Sequence, residues 1–225
     1  ASDAAPGYTE YTCQRCNAAR RERFTFTAAT PTDFFNDAAF VGDSITLGLR
    51  NYHMDRNFPL GDVTFLCQGS YSVDHAVNDT MLISYQGQDM TLEEALVASG
   101  ARKVFIQLGM NDIALHGIDK TMENWGVMLA GIRKAVPDIA VYIQSGTPIY
   151  TAGQIGGLNN QRMDAYNVRL QQFAQENGCF YIDIATDMKD SGNGLQERYA
   201  SDHYVHLTYA ACKLWVTVLK NYVGG

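Results

Sequence analysis

The sequence predicts an α/β fold in which a mostly parallel sheet of five strands carries helices on both faces. From residue 38 onward, short apolar runs of strand length alternate with longer segments of helical periodicity. The strand-like runs are almost continuously apolar, which is typical of strands buried on both faces of a parallel sheet. The length of 225 residues and the hydrophobic content of 46% favour one globular domain with a sizeable core.

The strand-like runs and the helical segments follow one another in turn along the chain. The predicted strands are residues 38–41, 63–67, 103–108, 139–144 and 179–184. The predicted helices are residues 45–52, 92–99, 122–136, 159–177 and 207–222. The crossovers between such strands are right-handed, and open sheets of this kind bind ligands beyond the carboxyl ends of their strands.

Three segments carry local signals of their own. Thr91 is followed three residues later by Glu94, which predicts a capping box at the start of the helix 92–99. Gly178 follows a long helical segment, where a residue in the left-handed conformation is expected. Residues 81–90 predict two short strands joined by a turn, inserted before that capped helix.

Residues 1–32 differ in character from the rest of the chain. They contain many small and polar residues and a basic cluster of Arg20, Arg21 and Arg23. This composition predicts an N-terminal extension that packs on the domain or is partly mobile at its very start. The domain itself is predicted to span residues 33–225.

The chain has five cysteines, which are Cys13, Cys16, Cys67, Cys179 and Cys212. The first two form a C-x-x-C pair, but no second pair at a suitable spacing completes a structural zinc site. We therefore expect a short disulfide or two free thiols there, and no metal. The other three lie in strand-like runs or on a helix, where buried free thiols are common.

Composition and charge exclude several classes of partner. The net charge of -7 argues against nucleic acid as a partner, because surfaces that bind nucleic acid need clustered Lys and Arg. No apolar run is long enough to predict a membrane span. No glycine-rich phosphate loop follows the first strand, which argues against a nucleotide or redox domain of flavodoxin type, and no cofactor is predicted.

A chain that begins at Ala1 and has a C-x-x-C pair favours export, with the cytoplasm as the alternative.

The first strand ends in Gly42-Asp43-Ser44, directly before a helical segment. A serine at that corner stands at the amino end of a helix, whose unpaired N–H groups favour negative charge, including the oxyanion formed when a hydroxyl attacks an ester. Taken alone, the alternative interpretation is that Ser44 only caps the helix.

The next two strands end in residues that could complete such a site. Gly69 follows the second strand, and Asn111 and Asp112 follow the third. The N–H groups of Ser44 and Gly69 and the carboxamide of Asn111 would then converge as an oxyanion hole. The alternatives are a tight turn at Gly69 and an Asx turn or helix cap at Asn111-Asp112.

A serine nucleophile also needs a base, and two histidines near the C-terminus come with a carboxylate. Asp202 lies four residues before His206, close enough for the loop to bring the two together, whereas the adjacent side chains of Asp202 and His203 should diverge. The alternative for this stretch is a solvated loop with a capping aspartate. The remaining histidines are placed on the first helix (His53) and in the loops after Gly69 (His75) and Asn111 (His116).

These separated blocks resemble the SGNH/GDSL hydrolases: Gly42-Asp43-Ser44, then Gly69, then the G-x-N-D run at 109–112, and finally Asp202 with His206-Leu207-Thr208. The resemblance covers about residues 37–222. It implies a flavodoxin-like three-layer α/β/α sandwich with a shallow, open site and metal-free acyl-ester chemistry.

The resemblance also implies a role for each matching residue. Ser44 would be the nucleophile and first oxyanion donor, Gly69 and Asn111 the other donors, His206 the base and Asp202 its orienting partner. The family usually places the aspartate three residues before the histidine, and here it stands four before. Either an extra residue in the loop explains this, or the site works as a Ser-His dyad in which a backbone carbonyl orients His206.

The predicted substrate is a short acyl ester, acetyl above all, on a polar or glycan-like carrier. The predicted walls of the site are residues 71–85, 113–120, 148–158 and 189–199, and the last two loops are polar, with Tyr150 and Tyr199 available to stack on a sugar. No long apolar lid is visible, which argues against long-chain lipids. The alternatives are an O-acyltransferase and a non-catalytic glycan-binding domain on the same fold.

Overall fold

The computed structural model describes residues 7–12, 19–24, 32–56 and 60–224. Its centre is a sheet of five parallel strands. They are β3 (Ala38–Gly42), β4 (Thr64–Cys67), β7 (Lys103–Gln107), β8 (Ala140–Gln144) and β9 (Phe180–Ile182). Their spatial order is β4-β3-β7-β8-β9, and every neighbouring pair is parallel. The predicted fold class is confirmed, and each observed strand lies within its predicted run except at Gly42, where β3 extends one residue further.

Helices cover both faces of this sheet. The long ones are α1 (Ser44–Arg56), α3 (Leu92–Ser99), α5 (Gly117–Ala135), α6 (Asn160–Glu176) and α7 (Tyr209–Gly224). Helices α1 and α7 contact each other, whereas α5 contacts both α3 and α6. This division into two helical layers around the sheet is the three-layer sandwich that the sequence predicts.

Two short helices were expected to be loops. Helix α2 (Val73–Asn78) follows β4 and contains His75, and α4 (Met110–Leu115) follows β7, with His116 directly after its last residue. Helix α5 also begins five residues earlier than predicted, at Gly117, whose φ of +77° separates it from α4. A six-residue helix shows less than two turns of periodicity, so its caps and tertiary contacts decide whether it forms.

The local signals are confirmed. Strands β5 (Ile83–Tyr85) and β6 (Gln88–Met90) pair antiparallel across Gln86 and Gly87, which both have positive φ. The Thr91 side chain accepts the N–H of Glu94, and the Glu94 carboxylate accepts the N–H of Thr91, which completes the capping box. Gly178 has a φ of +62°.

The N-terminal part contains two strands that the sequence analysis did not assign. Strands β1 (Gly7–Thr12) and β2 (Ala19–Phe24) pair antiparallel with each other and form a sheet of their own. Cys13 and Cys16 lie outside the described residues, so their state stays a prediction, as does the division between extension and domain at residue 32. Cys67, Cys179 and Cys212 are free thiols, as predicted.

A row of aromatic side chains crosses all five strands of the sheet. Its members are register partners on neighbouring strands: Phe65, Phe40, Phe105, Tyr142 and Phe180. Ring centroids are 4.9 Å apart for Phe40 and Phe105, 4.5 Å for Phe105 and Tyr142, and 4.6 Å for Tyr142 and Phe180, with nearly parallel planes. Such cross-strand pairs stabilise one register, which aligns the carboxyl ends of the strands where the polar residues lie.

Candidate active site

Ser44 is the first residue of α1, and only Asp43 separates it from Gly42, the glycine that ends β3. A Cβ on Gly42 would overlap the Thr46 hydroxyl and lie 2.8 Å from the backbone oxygen of Gln107. Only glycine therefore lets the first turn of α1 approach β7 this closely. The Asp43 carboxylate accepts the N–H of Ile45 at 2.8 Å, which caps the new helix.

A chain of two hydrogen bonds joins three of the predicted site residues. The Oδ2 of Asp202 lies 2.5 Å from Nδ1 of His206, and Nε2 of His206 lies 3.0 Å from Oγ of Ser44. Because a carboxylate only accepts, Nδ1 carries the proton and Nε2 is left to accept the serine hydroxyl. The sequence analysis chose His206 over His203 for this position, and the structure brings His206, not His203, to Ser44.

The loop that carries Asp202 and His206 contains a left-handed turn. An antiparallel bridge between Ala200 and Leu207 closes this loop, and His203 within it has a φ of +52°. The Asp202 Oδ1 accepts the backbone N–H groups of Tyr204 at 2.9 Å and His206 at 3.1 Å. The four-residue spacing is thereby compatible with direct contact between the aspartate and the histidine.

Asp202 is held in its ionised form. Burial opposes ionisation, but the hydrogen bonds from the His206 ring and from the backbone N–H groups of Tyr204 and His206 outweigh it and hold the pKa of Asp202 below its usual value. The side chains of His206 and Asp202 are 46% and 35% exposed, so a substrate can reach them from solvent. This exposure agrees with the open site that the sequence predicts.

Gly69 and Asn111 follow β4 and β7, the two strands that flank β3. The Asn111 Nδ2 donates to the Asp43 carboxylate at 3.2 Å and to the backbone oxygen of Tyr71 at 3.1 Å. The N–H of Gln68 donates to the oxygen of Gly42 at 3.2 Å, which ties the turn containing Gly69 to the end of β3. A Cβ on Gly69 would meet no heavy atom within 4 Å, so this glycine faces open space.

Asp112 links the two loops that carry Gly69 and Asn111. Its carboxylate is 1% exposed and accepts the N–H groups of Val73 at 3.0 Å and Asp74 at 2.9 Å, at the start of α2. Burial raises the pKa of Asp112, and the two backbone hydrogen bonds act in the opposite direction. A helix cap was one alternative for this residue, and the residue indeed caps a helix, although one from another segment of the chain.

Two aromatic residues that the sequence analysis did not single out hold the loop after β7. Gly109 has a φ of +112°, and a Cβ on it would overlap the Tyr166 hydroxyl. That hydroxyl donates to the backbone oxygen of Leu108 at 2.8 Å and accepts the Trp125 indole N–H at 2.8 Å. The G-x-N-D glycine is the local signal of this close approach, but nothing local indicates which side chains make it.

The prediction that Tyr199 lines the site is wrong. Tyr199 is only 9% exposed and packs in the core, so it is not available to stack on a sugar. The loop 189–199 turns inward there because the N–H of Leu195 donates to the oxygen of Ile149 and the N–H of Thr208 donates to the oxygen of Tyr199. Tyr150 is partly exposed, and its ring meets that of His203 edge-on at 5.1 Å.

Two further expectations concern metals and membranes. Among the described residues, no three His, Cys, Asp or Glu side chains are grouped so that they could hold a metal ion. In the same part of the chain, no helix combines the length and the apolar character needed to cross a bilayer.

A flavodoxin-like sheet with serine, histidine and aspartate hydrogen-bonded at its carboxyl edge is typical of α/β serine hydrolases. The family model of GDSL-like lipases and acylhydrolases matches residues 40–214. The chain belongs to this family and is an enzyme that hydrolyses ester bonds. The match includes the blocks at Ser44, Gly69, Asn111 and His206.

Solved structures with the same fold have sequences that differ widely from this one. A GDSL-like lipase from Bacteroides thetaiotaomicron superposes with a TM-score of 0.67 and 20% identity, over 87% of this chain and 91% of that one. A candidate acylhydrolase from Bacteroides fragilis superposes with a TM-score of 0.64 and 23% identity, over 84% of this chain and 85% of that one. A carbohydrate esterase family 3 protein from Talaromyces cellulolyticus superposes with a TM-score of 0.59 and 13% identity, over 83% of this chain and 95% of that one. No curated protein sequence matches this chain.

Proposed function

We propose that this enzyme hydrolyses short acyl esters, acetyl esters above all, on a polar or carbohydrate carrier, with Ser44 as nucleophile, His206 as base and Asp202 as its orienting partner. The observation that carries the proposal is the continuous hydrogen-bonded chain from Asp202 through His206 to Ser44. Each of its two contacts is short enough for the proton transfer or the orientation that it has to perform.

The reaction follows from this chain in two halves. Ser44 Oγ attacks the acyl carbon while its proton passes to Nε2 of His206, and the same proton then leaves with the carrier's alkoxide as an alcohol. A water molecule next gives a proton to His206 and attacks the acyl-serine, and the return of that proton to Ser44 releases the carboxylic acid. Asp202 stabilises the imidazolium in both halves.

The oxyanion of each tetrahedral intermediate needs donors on the other side of Ser44. The proposed donors are the N–H groups of Ser44 and Gly69 and the carboxamide of Asn111. Their positions after three neighbouring strands, β3, β4 and β7, support this assignment. Loss of one such donor typically lowers kcat by ~10²- to 10³-fold.

The nature of the substrate is supported by the surroundings of the site. The loops 148–158 and 189–199 are rich in Gly, Thr, Gln and Asn. The partly exposed Tyr150 offers an aromatic surface of the kind that sugars contact. The carbohydrate esterase of Talaromyces cellulolyticus shares the fold, and a carbohydrate-linked acetyl ester would place the enzyme outside the cell or in its envelope.

The domain boundary belongs to the same proposal. The family match begins at residue 40 and β3 begins at Ala38, which supports a hydrolase domain of residues 33–225 after an extension of residues 1–32. Removal of residues 1–32 should leave a folded and active enzyme if this division is correct.

The test is hydrolysis of p-nitrophenyl acetate, butyrate and octanoate by the wild type and by Ser44→Ala, His206→Ala and Asp202→Ala. The first two variants should lose at least ~10³-fold in kcat, and acetate should be the best of the three esters. Asp202→Ala should lose at least ~10-fold, because His206 is no longer held in its productive tautomer.

His203→Asn is the matched control. It replaces a histidine in the same loop, and asparagine tolerates the positive φ there, so activity should stay within about 2-fold of the wild type. An unaffected Asp202→Ala variant would favour the Ser-His dyad instead. An inert wild type, or an active Ser44→Ala variant, would overturn the proposed mechanism and bring the acyltransferase or glycan-binding alternatives forward.

A further inference from the structure

The reaction described above gives no role to the side chain of Asp43. It lies between Gly42 and Ser44 and is 1% exposed, which is rare for an aspartate. Burial raises its pKa from the usual value to about 7, and among the other titratable groups that face it, His206 lowers this pKa and Asp112 raises it. An ionisable group kept here at such an energetic disadvantage suggests a functional task.

The two oxygens of Asp43 serve two different partners. Oδ1 accepts the N–H of Ile45 at 2.8 Å, and Oδ2 accepts a hydrogen from Nδ2 of Asn111 at 3.2 Å. The second hydrogen of the same amide nitrogen goes to the backbone oxygen of Tyr71 at 3.1 Å. The carboxamide of Asn111 is therefore held by one side-chain acceptor and one backbone acceptor.

This pair of acceptors decides which end of the Asn111 carboxamide faces Asp43, the residue next to Ser44. The backbone carbonyl of Tyr71 and the ionised carboxylate of Asp43 can only accept, so in that form a half-turn of the Asn111 amide would bring its own oxygen against two other oxygens. The two acceptors thus favour the orientation in which the NH2 group of Asn111, and not its carbonyl oxygen, points towards them. An oxyanion at Ser44 could then share one of these two hydrogens without any prior rotation of Asn111.

We propose that Asp43 is a positioning residue whose carboxylate orients the Asn111 carboxamide as an oxyanion donor. The inference rests on the role of Asn111 proposed above and adds to it the group that sets the donor's direction. It also accounts for why this carboxyl lies buried beside the nucleophile rather than at the surface.

The test uses Asp43→Asn, which keeps the size of the side chain and its ability to cap a helix. Asparagine has one acceptor oxygen, so it can satisfy Ile45 or Asn111 but not both. We expect kcat on p-nitrophenyl acetate to fall by ~10- to 10²-fold while KM stays within about 3-fold, because the donor acts mainly in the transition state. Asp43→Ser, which caps the helix equally well but cannot reach both partners, should behave in the same way.

A double variant separates positioning from a general structural effect. If Asp43 acts through Asn111, the double variant Asp43→Asn with Asn111→Ala should be no slower than Asn111→Ala alone. Asp183→Asn is the matched control, since this half-buried aspartate accepts the N–H groups of Ala185 and Thr186 after the edge strand β9. Its kcat should equal that of the wild type.

Three outcomes would overturn the inference. The first is a wild-type kcat in Asp43→Asn and Asp43→Ser while Ser44→Ala is inert, which leaves the proposed function intact. The second is a double variant whose loss is the product of the two single losses, which makes Asp43 independent of Asn111. The third is an active Ser44→Ala variant, with which the proposed function fails and the inference falls too.

Discussion

Two rows of side chains on the same face of the central sheet, two residues apart, have opposite characters. The lower row is the aromatic row of Phe65, Phe40, Phe105, Tyr142 and Phe180. The upper row, nearer the active site, contains Cys67, Gly42, Gln107, Gln144 and Ile182. One row fills its space with stacked rings, whereas the other includes a glycine and two glutamines that are fully buried.

The difference shows that the row nearer the site is not filled by large side chains but makes contacts with helices α1 and α7. In the upper row, Gly42 leaves room for Thr46 of α1, and Gln144 accepts the indole N–H of Trp215 from α7 at 2.7 Å. These contacts bring the helices close to the strand ends, where Ser44 and His206 have to meet. The lower row packs the sheet with aromatic rings, and the upper row makes room for the helix that begins at Ser44.

The largest stability effect should come from the lower row. Phe105→Ala removes the ring between Phe40 and Tyr142 and should lower the free energy of unfolding by ~3–5 kcal/mol. Denaturant unfolding measures this loss. At a temperature where the variant is folded, kcat should stay close to that of the wild type; a large fall in kcat would show that the aromatic row also shapes the site.

The next effect concerns the carboxyl of Asp43 and depends on pH. Its pKa of about 7 in the folded state exceeds that of an unfolded aspartate, so the folded state binds the proton more tightly. The contribution of Asp43 to stability should therefore fall as pH rises from about 4 to about 7, by ~4 kcal/mol at most. Asp43→Asn should remove this slope, measured by urea unfolding at pH 4.5, 6 and 8. Parallel curves for the two proteins would contradict the prediction.

Gly42→Ala tests the upper row directly. Its Cβ would overlap Thr46 and approach the backbone of Gln107, so α1 has to shift, at a cost of ~1–3 kcal/mol in stability. Because Ser44 moves with α1, kcat should fall by more than ~10²-fold even where the variant is folded. Comparison of kcat with the melting temperature checks this, and a fall in stability alone would refute it.

The smallest effect lies outside both rows. Thr91→Ala removes the capping box of α3 and should lower the free energy of unfolding by ~1 kcal/mol, with kcat unchanged. A thermal melt and an ester assay suffice. A change in kcat would show that α3 is coupled to the site, which the comparison of the two rows does not require.

The sequence by itself determined the fold class, the order of the main elements and the residues of the candidate site. Strands buried on both faces and amphipathic helices have patterns that follow from burial alone, so residues 38–41 or 92–99 could be assigned without their neighbours. The capping box at Thr91 and the hairpin before it depend on interactions within a few residues. The four blocks around Ser44, Gly69, Asn111 and His206 are local as well.

Only the tertiary structure decided how distant segments complete one another. Helix α2 starts where its first N–H groups donate to Asp112, a residue of α4, the helix that follows β7. Tyr199 is buried by loops that are remote from it in the sequence. The contact between Nε2 of His206 and Oγ of Ser44 joins residues that are 162 positions apart in the sequence. Such features arise from long-range hydrogen bonds and packing, whose free energies exceed local preferences but leave no periodic trace in the sequence.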